Sequence, residues 1–415
     1  MIKDVKKGEV KIKGWVHETR DLGKIRFLVL RDISGLIQIT CLEDEPAFKE
    51  MKQNKENVLE IEGEAKSSEK APSGVEIFPK KITLLAKAKQ PLPIDTSDFS
   101  KTSLPIRLDY RFLDLHNRKR QAIFKIQSEI ANLFRQHFRR KGFIEMQPPS
   151  IISSASEGGT ELFPAKYFEK QAYLAQSPQL YKQMVACSME KTFTITPVWR
   201  AEKHNTTRHI NEARQMDIEM AFSNQEIVMK QLEQAVQDIV KNIIKNCEKE
   251  LKYLKLKIKI PKAKYISYKE TIDLLKKNKI EIVDGEDLSP EAERKLSELY
   301  PDTIIFVHSW PISLKPFYIM PLDDSISGGF DAIYNGMEIS SGGQRIHIPE
   351  LLIERLKAKG LDPKNFESYI NSFRYGAPEH GGWSIGLERF TMTLLGLDNI
   401  REVTLFPRDR DRLTP

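Results

Sequence analysis

The chain has 415 residues, more than one ordinary domain holds, so length favours two or more domains with room for a sizeable core. Hydrophobic residues at 40% and charged residues at 30%, with 21 Gly and 22 Pro, fit a globular protein and exclude collagen-like, low-complexity and largely disordered chains. Lys plus Arg at 65 against Asp plus Glu at 58 leaves a net charge of +7, an excess that suits a polyanionic partner and equally a Lys-rich solvated surface. Cys41, Cys187 and Cys247 lie far apart without CxxC spacing, which argues against a disulfide framework and a structural zinc site. The opening MIKDVKKGEV is charged and no apolar run of about 18 residues follows, so neither a signal peptide nor a membrane span is expected, and a cytoplasmic location is.

In chain order, VKIKGWVHE, KIRFLVLRD, GLIQITCL, VLEIEGEA and VEIFPKKITLLAK read as five strands separated by turn signals. Five strands within residues 1–88 make a small barrel, of which the OB-fold is the common form, and its usual ligand is single-stranded nucleic acid. Pro91, Pro93 and Pro105 then mark a linker or hinge over 89–118, and residues 119–415 read as a separate domain, giving an α+β protein. Its first helix, near 119–140, puts Ile123, Ile126, Ile130, Leu133, Phe134 and Phe138 on one stripe, with Gly142 as a stop. A second long helix is expected to start at Ser223, with Glu226 completing a capping box and Leu232, Val236, Ile239 and Ile243 turned inward. Residues from about 255 to 320 mix charge with short helical patterns and read as an inserted, surface-facing subregion.

Three clusters carry chemistry. In TFTITPVWRAEKHNTTRHINEARQMDIEMAF (192–222), strand alternation puts Arg200 and Glu202 on one face and does the same for Asp217 and Glu219, with His204, Arg208 and His209 in the joining loop. Such charges suit a nucleotide, guanidinium for phosphate and carboxylate for an amino group, although a surface ion-pair ladder has the same pattern. Glu338 and Ser341, within GMEISSGGQR, are hard oxygen ligands for magnesium on a polyphosphate, and Gly342-Gly343 would let backbone approach a ligand; a plain hairpin turn fits as well. HGGWSIGLERF places Arg389 in the first turn of the final helix and is neither a Walker A loop nor a GxGxxG fingerprint.

Together these segments resemble the three signature motifs of class II aminoacyl-tRNA synthetases: Gly142-Phe143-Ile144-Glu145 through Pro149, Trp199-Arg200-Ala201-Glu202 through Asp217, and Gly386-Leu387-Glu388-Arg389. Over nearly the whole length the chain is most similar to aspartyl-tRNA synthetases of the archaeal/eukaryotic type. The resemblance implies a catalytic domain on a six-stranded antiparallel sheet with flanking helices, and a homodimer whose interface includes the first motif. It implies that ATP is held by Arg200 at the α-phosphate, Glu202 at the adenine amino group, Arg208 and His209 at the γ-phosphate and Arg389 at the adenine face, with Glu338 and Ser341 on Mg2+; Arg200, Glu202 and Arg389 form the catalytic set. It assigns aspartate to Gln179 and Lys182 in QSPQLYK, to Arg345 for the side-chain carboxylate, and to Asp217 and Glu157 for the α-ammonium. Taken alone, Lys182 reads as a helix-surface lysine. Two departures stand out: Gln147 precedes Pro148-Pro149 where the family usually has Thr, and Ala213 stands where many relatives carry a Phe beneath adenine.

On the barrel, the positions matching the family's anticodon face are Arg20, Phe27, Gln38 and Glu76, with Phe27 stacking the central base unless it is simply core. His17 and Pro72 match the pair that, as Trp and Lys, helps discriminating archaeal enzymes reject tRNA(Asn); otherwise His17 caps a strand end and Pro72 stiffens a hairpin. The pair resembles the non-discriminating subgroup, which implies aspartylation of tRNA(Asp) and tRNA(Asn) and an amidotransferase acting on the misacylated product. A discriminating aspartyl enzyme and an asparaginyl-tRNA synthetase are the alternatives. Lys182 speaks against the asparaginyl reading.

Overall fold

The computed structural model describes residues 1–69, 71, 74–153 and 161–415. The chain divides into two compact units, Met1–Ile106 and Arg107–Pro415.

In the first unit, β1 (Gly8–Asp21), β2 (Ile25–Asp32), β3 (Gly35–Leu42), β4 (Val58–Ser67) and β5 (Val75–Ala86) close a barrel in the order β1-β2-β3-β5-β4. Alternation explains it: Leu28, Leu30, Ile37, Ile39, Leu59 and Ile61 all point inward and are buried. The first half of β1 pairs with β4 and the second with β2, and a bulge between Val16 and Glu18 makes His17 the extra residue. His17 is therefore not at a strand end. The start of the expected linker is tied to this barrel, since Ala88 N–H donates to Asn57 Oδ1 (2.8 Å) and Thr96 Oγ1 to buried Glu56 (2.8 Å). Further along the same stretch, α1 (Leu104–Asp109) and α2 (Arg111–Asp114) are helical.

The second unit continues with α3 (Arg118–Arg140), capped by Asn117, whose side chain accepts from Lys119 and Arg120 N–H. Its predicted stripe is buried in full. After the short β6 (Ile144–Glu145), strands β7 (Ile151–Ile152), β8 (Pro164–Tyr167) and β9 (Lys170–Leu174) make a three-stranded sheet. Then follow α4 (Gln179–Met189), β10 (Lys191–Trp199), β11 (Glu212–Ala221), α5 (Gln225–Asn246) and α6 (Glu248–Leu254). The cap of α5 is Asn224 rather than Ser223: Asn224 accepts from Ile227 N–H, whereas the Ser223 hydroxyl donates back to Met220 O. Next come β12 (Lys262–Ser267), α7 (Tyr268–Lys277), α8 (Pro290–Leu299), β13 (Thr303–His308), β14 (Gly329–Tyr334), β15 (Met337–Gln344), α9 (Pro349–Ala358), α10 (Glu367–Arg374), β16 (His380–Gly386) and α11 (Leu387–Leu395).

The main sheet has eight strands in the order β12-β13-β14-β15-β16-β11-β10-β6. Its six inner strands are antiparallel, as expected, and β12 and β6 add to the edges in parallel. Residues from about 255 to 320 are thus not a surface insertion throughout. β13 is buried along Thr303–Val307, and α7 and α8 cover it with Ile272, Leu275 and Leu296. Alternate lysines on β12 hid a strand whose parallel partner lies some forty residues away. One face of the sheet packs on α3 and α5, where Met216, Ile218, Phe134, Phe138 and Trp383 share a core. Asp217 and Glu219, alternating with those β11 residues, point to the opposite face.

Candidate functional site

That opposite face floors a cavity of about 320 Å³. Its lining gathers Arg200, Glu202, Arg208, His209, Glu338, Ser341, Arg389, Gln179, Lys182, Asp217 and Arg345, residues singled out from four separate stretches of sequence. Ala213 also lines it, at the β11 end of the hairpin. Glu157 lies outside the described residues.

At the inner end four charges interlock. Lys182 is 1% exposed, and its Nζ donates to Asp217 Oδ1 (2.8 Å) and Trp383 O (3.3 Å) and lies 3.4 Å from Glu219 Oε2. Arg345 Nε donates to Glu219 Oε1 at 2.9 Å, and Ser384 Oγ to Asp217 Oδ2 at 3.1 Å. Burial alone would raise the Glu219 carboxyl, yet Arg345 and Lys182 hold it below its ordinary value. Burial likewise opposes the Arg345 charge, and Glu219 more than offsets it. Lys182 is therefore no helix-surface lysine. Glu219 is the residue that sequence reading placed on the right face and gave no task; its signal was the second carboxylate two residues from Asp217 within the otherwise apolar run Met216–Ala221. Gly382 makes room for it, because a Cβ there would stand 2.3 Å from Glu219 Oε2 and 2.2 Å from Ile218 O. Behind this set, Gln183 Oε1 accepts from Gln179 Nε2 (2.7 Å) and Tyr369 OH (2.8 Å). Gln183 Nε2 meets His380 Nε2 at 2.9 Å while His380 Nδ1 faces Pro378 O, so Nδ1 carries the proton and burial keeps the ring neutral.

At the mouth, strand pairing ends at Trp199↔Glu212, so Arg200 and Glu202 sit in the loop past β10 and not on its face as alternation suggested. Asn211 holds them, its Nδ2 donating to the carbonyls of Arg200 (2.7 Å) and Glu202 (3.0 Å). Arg208 Nη1 is paired with Glu293 Oε2 at 2.8 Å, and Nη2 donates to Gly336 O. His209 Nδ1 lies 2.6 Å from Thr206 Oγ1, and burial, then Arg389, lower its pKa. Glu388 accepts Arg214 N–H at 3.0 Å and is pushed up to about 7 by burial.

A bulge where β15 meets β14 shifts the alternation by one residue and brings Glu338 and Ser341, three apart, to the same cavity. Burial, then Asp331, pushes the Glu338 carboxyl upward, a rise moderated by solvent reaching 38% of the side chain. Asp331 sits opposite Ser341 in register and pairs with Lys315, another cavity residue. Sequence reading missed both; an aspartate inside the buried run Gly329–Tyr334 was the available signal. Among the described residues no three His, Cys, Asp or Glu side chains could hold a metal by themselves. The oxygen donors present fit a magnesium ion that takes its remaining ligands from phosphate and water. The Gly342-Gly343 pair serves the sheet more than a ligand, since a Cβ at Gly342 would stand 2.6 Å from the Phe330 ring and one at Gly343 2.5 Å from Gly328 O.

On the barrel, Arg20, Phe27, Gln38 and Glu76 share one outer face: Arg20 pairs with Phe27, and Gln38 with Glu76. Gln38 Nε2 (3.2 Å) and Thr40 Oγ1 (2.8 Å) both donate to Glu76 Oε2. Phe27 is half-buried and, alternating with the inward Leu28, lies outside the barrel core. His17 Nδ1 is 3.4 Å from Arg31 Nη1, whose guanidinium forms a buried pair with Glu56, and burial, then Arg31, lower the His17 pKa. Pro72 lies outside the described residues.

The chain thus has two parts, a five-stranded barrel and a domain whose sheet floors a cavity lined by cations and carboxylates. Residues 103–410 match the family model of tRNA synthetases class II (D, K and N), and residues 10–85 match the OB-fold nucleic acid binding domain. The chain belongs to the class II aminoacyl-tRNA synthetases of this group. It is 47% identical, over 98% of its length and 96% of the relative's, to the aspartate–tRNA(Asp/Asn) ligase of Methanopyrus kandleri. It is 46% identical, with the same coverage, to the aspartate–tRNA(Asp) ligase of Pyrococcus horikoshii. Among solved structures, the asparaginyl-tRNA synthetase of Pyrococcus horikoshii complexed with asparaginyl-adenylate superposes with a TM-score of 0.94 at 33% identity, covering 99% of this chain and 97% of that one. A putative aspartyl-tRNA synthetase from Leishmania major superposes with a TM-score of 0.91 at 32% identity, covering 98% and 91%.

Proposed function

We propose that this enzyme activates L-aspartate with ATP and transfers it to the 3′ end of tRNA(Asp) and also of tRNA(Asn). The observation that carries the amino-acid choice is the interlocked set of Lys182, Arg345, Asp217 and Glu219. With two cations and two carboxylates it is neutral as it stands. When the substrate ammonium engages Asp217, the remaining Lys182, Arg345 and Glu219 carry one net positive charge, which a side-chain carboxylate neutralises. A carboxamide leaves that charge unmatched in a desolvated pocket, so asparagine is rejected. Gln179 completes the contacts to aspartate, and Glu157 is assigned to the ammonium by the resemblance.

In the first step the aspartate α-carboxylate attacks the α-phosphorus of ATP; an oxygen–phosphorus bond forms and the bond to the pyrophosphate oxygen breaks. No enzyme nucleophile takes part. Arg200 is assigned to the charge that develops at the α-phosphate, Glu202 and Arg389 to the adenine, and Arg208 and His209 to the γ-phosphate. Mg2+, held through Glu338 and Ser341, supplies charge neutralisation on the phosphates when bound. In the second step the 3′-hydroxyl of the terminal adenosine takes the aspartyl group and AMP leaves.

The barrel face with Arg20, Phe27, Gln38 and Glu76 is assigned to the anticodon, and His17 with Pro72 to relaxed selection at its third base. An amidotransferase acting on aspartyl-tRNA(Asn) is then required for correct decoding. A homodimer is supported by the exposed apolar Ile144, within the first motif, and Ile151, just beyond it. No helix of the described residues is long and apolar enough to cross a membrane, in keeping with a cytoplasmic enzyme. ATP–pyrophosphate exchange with aspartate and asparagine offered separately tests the reading: exchange with aspartate alone supports it, and exchange driven by asparagine refutes it.

A further inference from the structure

The loop between β10 and β11 carries Arg200, Glu202, Arg208 and His209, yet between Arg200 and Asn211 it has no partner strand. Besides Ala201 N–H on Glu161 O (3.0 Å) and the Arg208 contacts described above, it is held by residues 400–412. Ile400 N–H donates to Thr207 O (2.9 Å), Asn211 N–H to Arg408 O (2.7 Å) and Arg410 Nη1 to Lys203 O (3.4 Å). Arg401 is the centre of this contact: Nη1 donates to Thr206 O (2.9 Å), Nη2 to Asn205 Oδ1 (2.7 Å) and Nε to Asp409 Oδ2 (2.6 Å). Asn205 in turn donates to Asp411. Asp409 Oδ1 accepts the backbone N–H of Asp411 and of Arg412, both at 2.9 Å, which fixes the carboxylate against its own turn. The Arg401 and Asp409 side chains are only 11% and 6% exposed, so the guanidinium is a planar fork that spans from a rigidly held carboxylate to the loop, unlike a solvated surface pair.

Thr206 connects the fork to the site. Its Oγ1 accepts Arg208 N–H at 3.2 Å and stands 2.6 Å from His209 Nδ1. Neither Arg401 nor Asp409 lines the cavity. We infer that Asp409 and Arg401 are positioning residues for the nucleotide's terminal phosphates: through Thr206 they hold the backbone from which Arg208 and His209 reach the γ-phosphate. The Arg208 side chain, meanwhile, exchanges Glu293 for phosphate. This rests on the proposed assignment of Arg208 and His209 to ATP.

The test compares Asp409→Ala and Arg401→Met with Arg208→Ala in the full-length enzyme, measuring exchange kinetics and, by calorimetry, the affinities for Mg-ATP and AMP. Both fork variants should raise the KM for ATP by roughly tenfold, with kcat and the KM for aspartate little changed, because a displaced loop weakens binding without removing a reacting group. They should weaken Mg-ATP while sparing AMP, which has no γ-phosphate. Thr206→Val should reproduce this pattern and Thr206→Ser restore it, a pair of readouts independent of whether the fork variants fold. A fall in kcat at unchanged KM for ATP, or equal loss of ATP and AMP, would mean that the fork only stabilises the fold and overturns the inference. If Arg208→Ala loses ATP selectively and the fork variants do not, the inference alone fails. If Arg208→Ala leaves the preference for ATP over AMP intact, the phosphate assignment fails and the inference falls with it.

Discussion

Lys182 and Arg345 each meet a carboxylate before any substrate arrives, so removing either cation leaves Asp217 or Glu219 buried with less than its balance of charge. Losing one partner of such a pair costs on the order of 3–5 kcal/mol. Lys182→Met and Arg345→Leu should therefore abolish aspartate-dependent pyrophosphate exchange while ATP binding, measured by calorimetry on the folded fraction, stays close to wild type. Unchanged exchange in both would refute the assignment of the side-chain carboxylate. Glu388 gives a second test at this scale. Its carboxyl is raised from 4.5 to about 7 by burial, so the folded chain holds the proton more tightly than the unfolded chain does. That contribution is complete below the unfolded value and is lost as pH rises through the folded one. Glu388→Gln, which mimics the protonated group, should thus gain thermal stability relative to wild type as pH rises from about 4.5 to 7. A gap between the two melting temperatures that does not change over this window contradicts the burial argument. The residue types of this site were legible in the sequence because charges in an apolar strand context, such as Asp217 and Glu219, need a partner. The partners themselves were less so, since Arg345 reaches Glu219 across 126 positions and no local pattern reports that pairing.

Among the elements, the strands of the barrel could be read because one face of each is core, and a slip of one residue would have reversed every side chain. Alternation could not show where pairing stops, which is why Arg200 and Glu202 were placed on β10 when they lie in the loop beyond it. Nor could it choose between two neighbouring capping residues: Ser223 and Asn224 are both suitable, and the geometry of α5 selects Asn224. The β15 bulge was equally invisible, and without it Glu338 and Ser341 would face opposite sides of the sheet. The outer face of β1, β2, β3 and β5 carries its own prediction. If Phe27 stacks an anticodon base, Phe27→Ala should weaken tRNA binding by about 1–3 kcal/mol, the usual contribution of one stacked base. Exchange in the absence of tRNA should be unaffected, and equal tRNA affinity in a filter-binding titration would show that the ring only packs.

For the whole molecule, a net charge of +7 is compatible with a tRNA partner but does not specify one. Similarity is no more decisive about which tRNAs are charged, because relatives named for tRNA(Asp) alone and for tRNA(Asp/Asn) stand at 46% and 47% identity. On the reading proposed above, that distinction rests with the barrel's own residues. His17 is the extra residue of the β1 bulge beside the buried Arg31–Glu56 pair, and the resemblance matches this compact ring to a larger Trp in discriminating enzymes. Selection against a near-identical base needs rigid or uncompensated groups aimed at it, and their loss relaxes the choice. The most direct measurement is aminoacylation of purified tRNA(Asp) and tRNA(Asn) transcripts with labelled aspartate and, separately, labelled asparagine. Aspartate should be attached to both tRNAs and asparagine to neither. Transfer of asparagine would contradict the charge balance proposed for Lys182, Arg345, Asp217 and Glu219, and aspartylation of tRNA(Asn) at less than about a hundredth of the tRNA(Asp) efficiency, a gap of roughly 2.7 kcal/mol, would contradict relaxed tRNA selection.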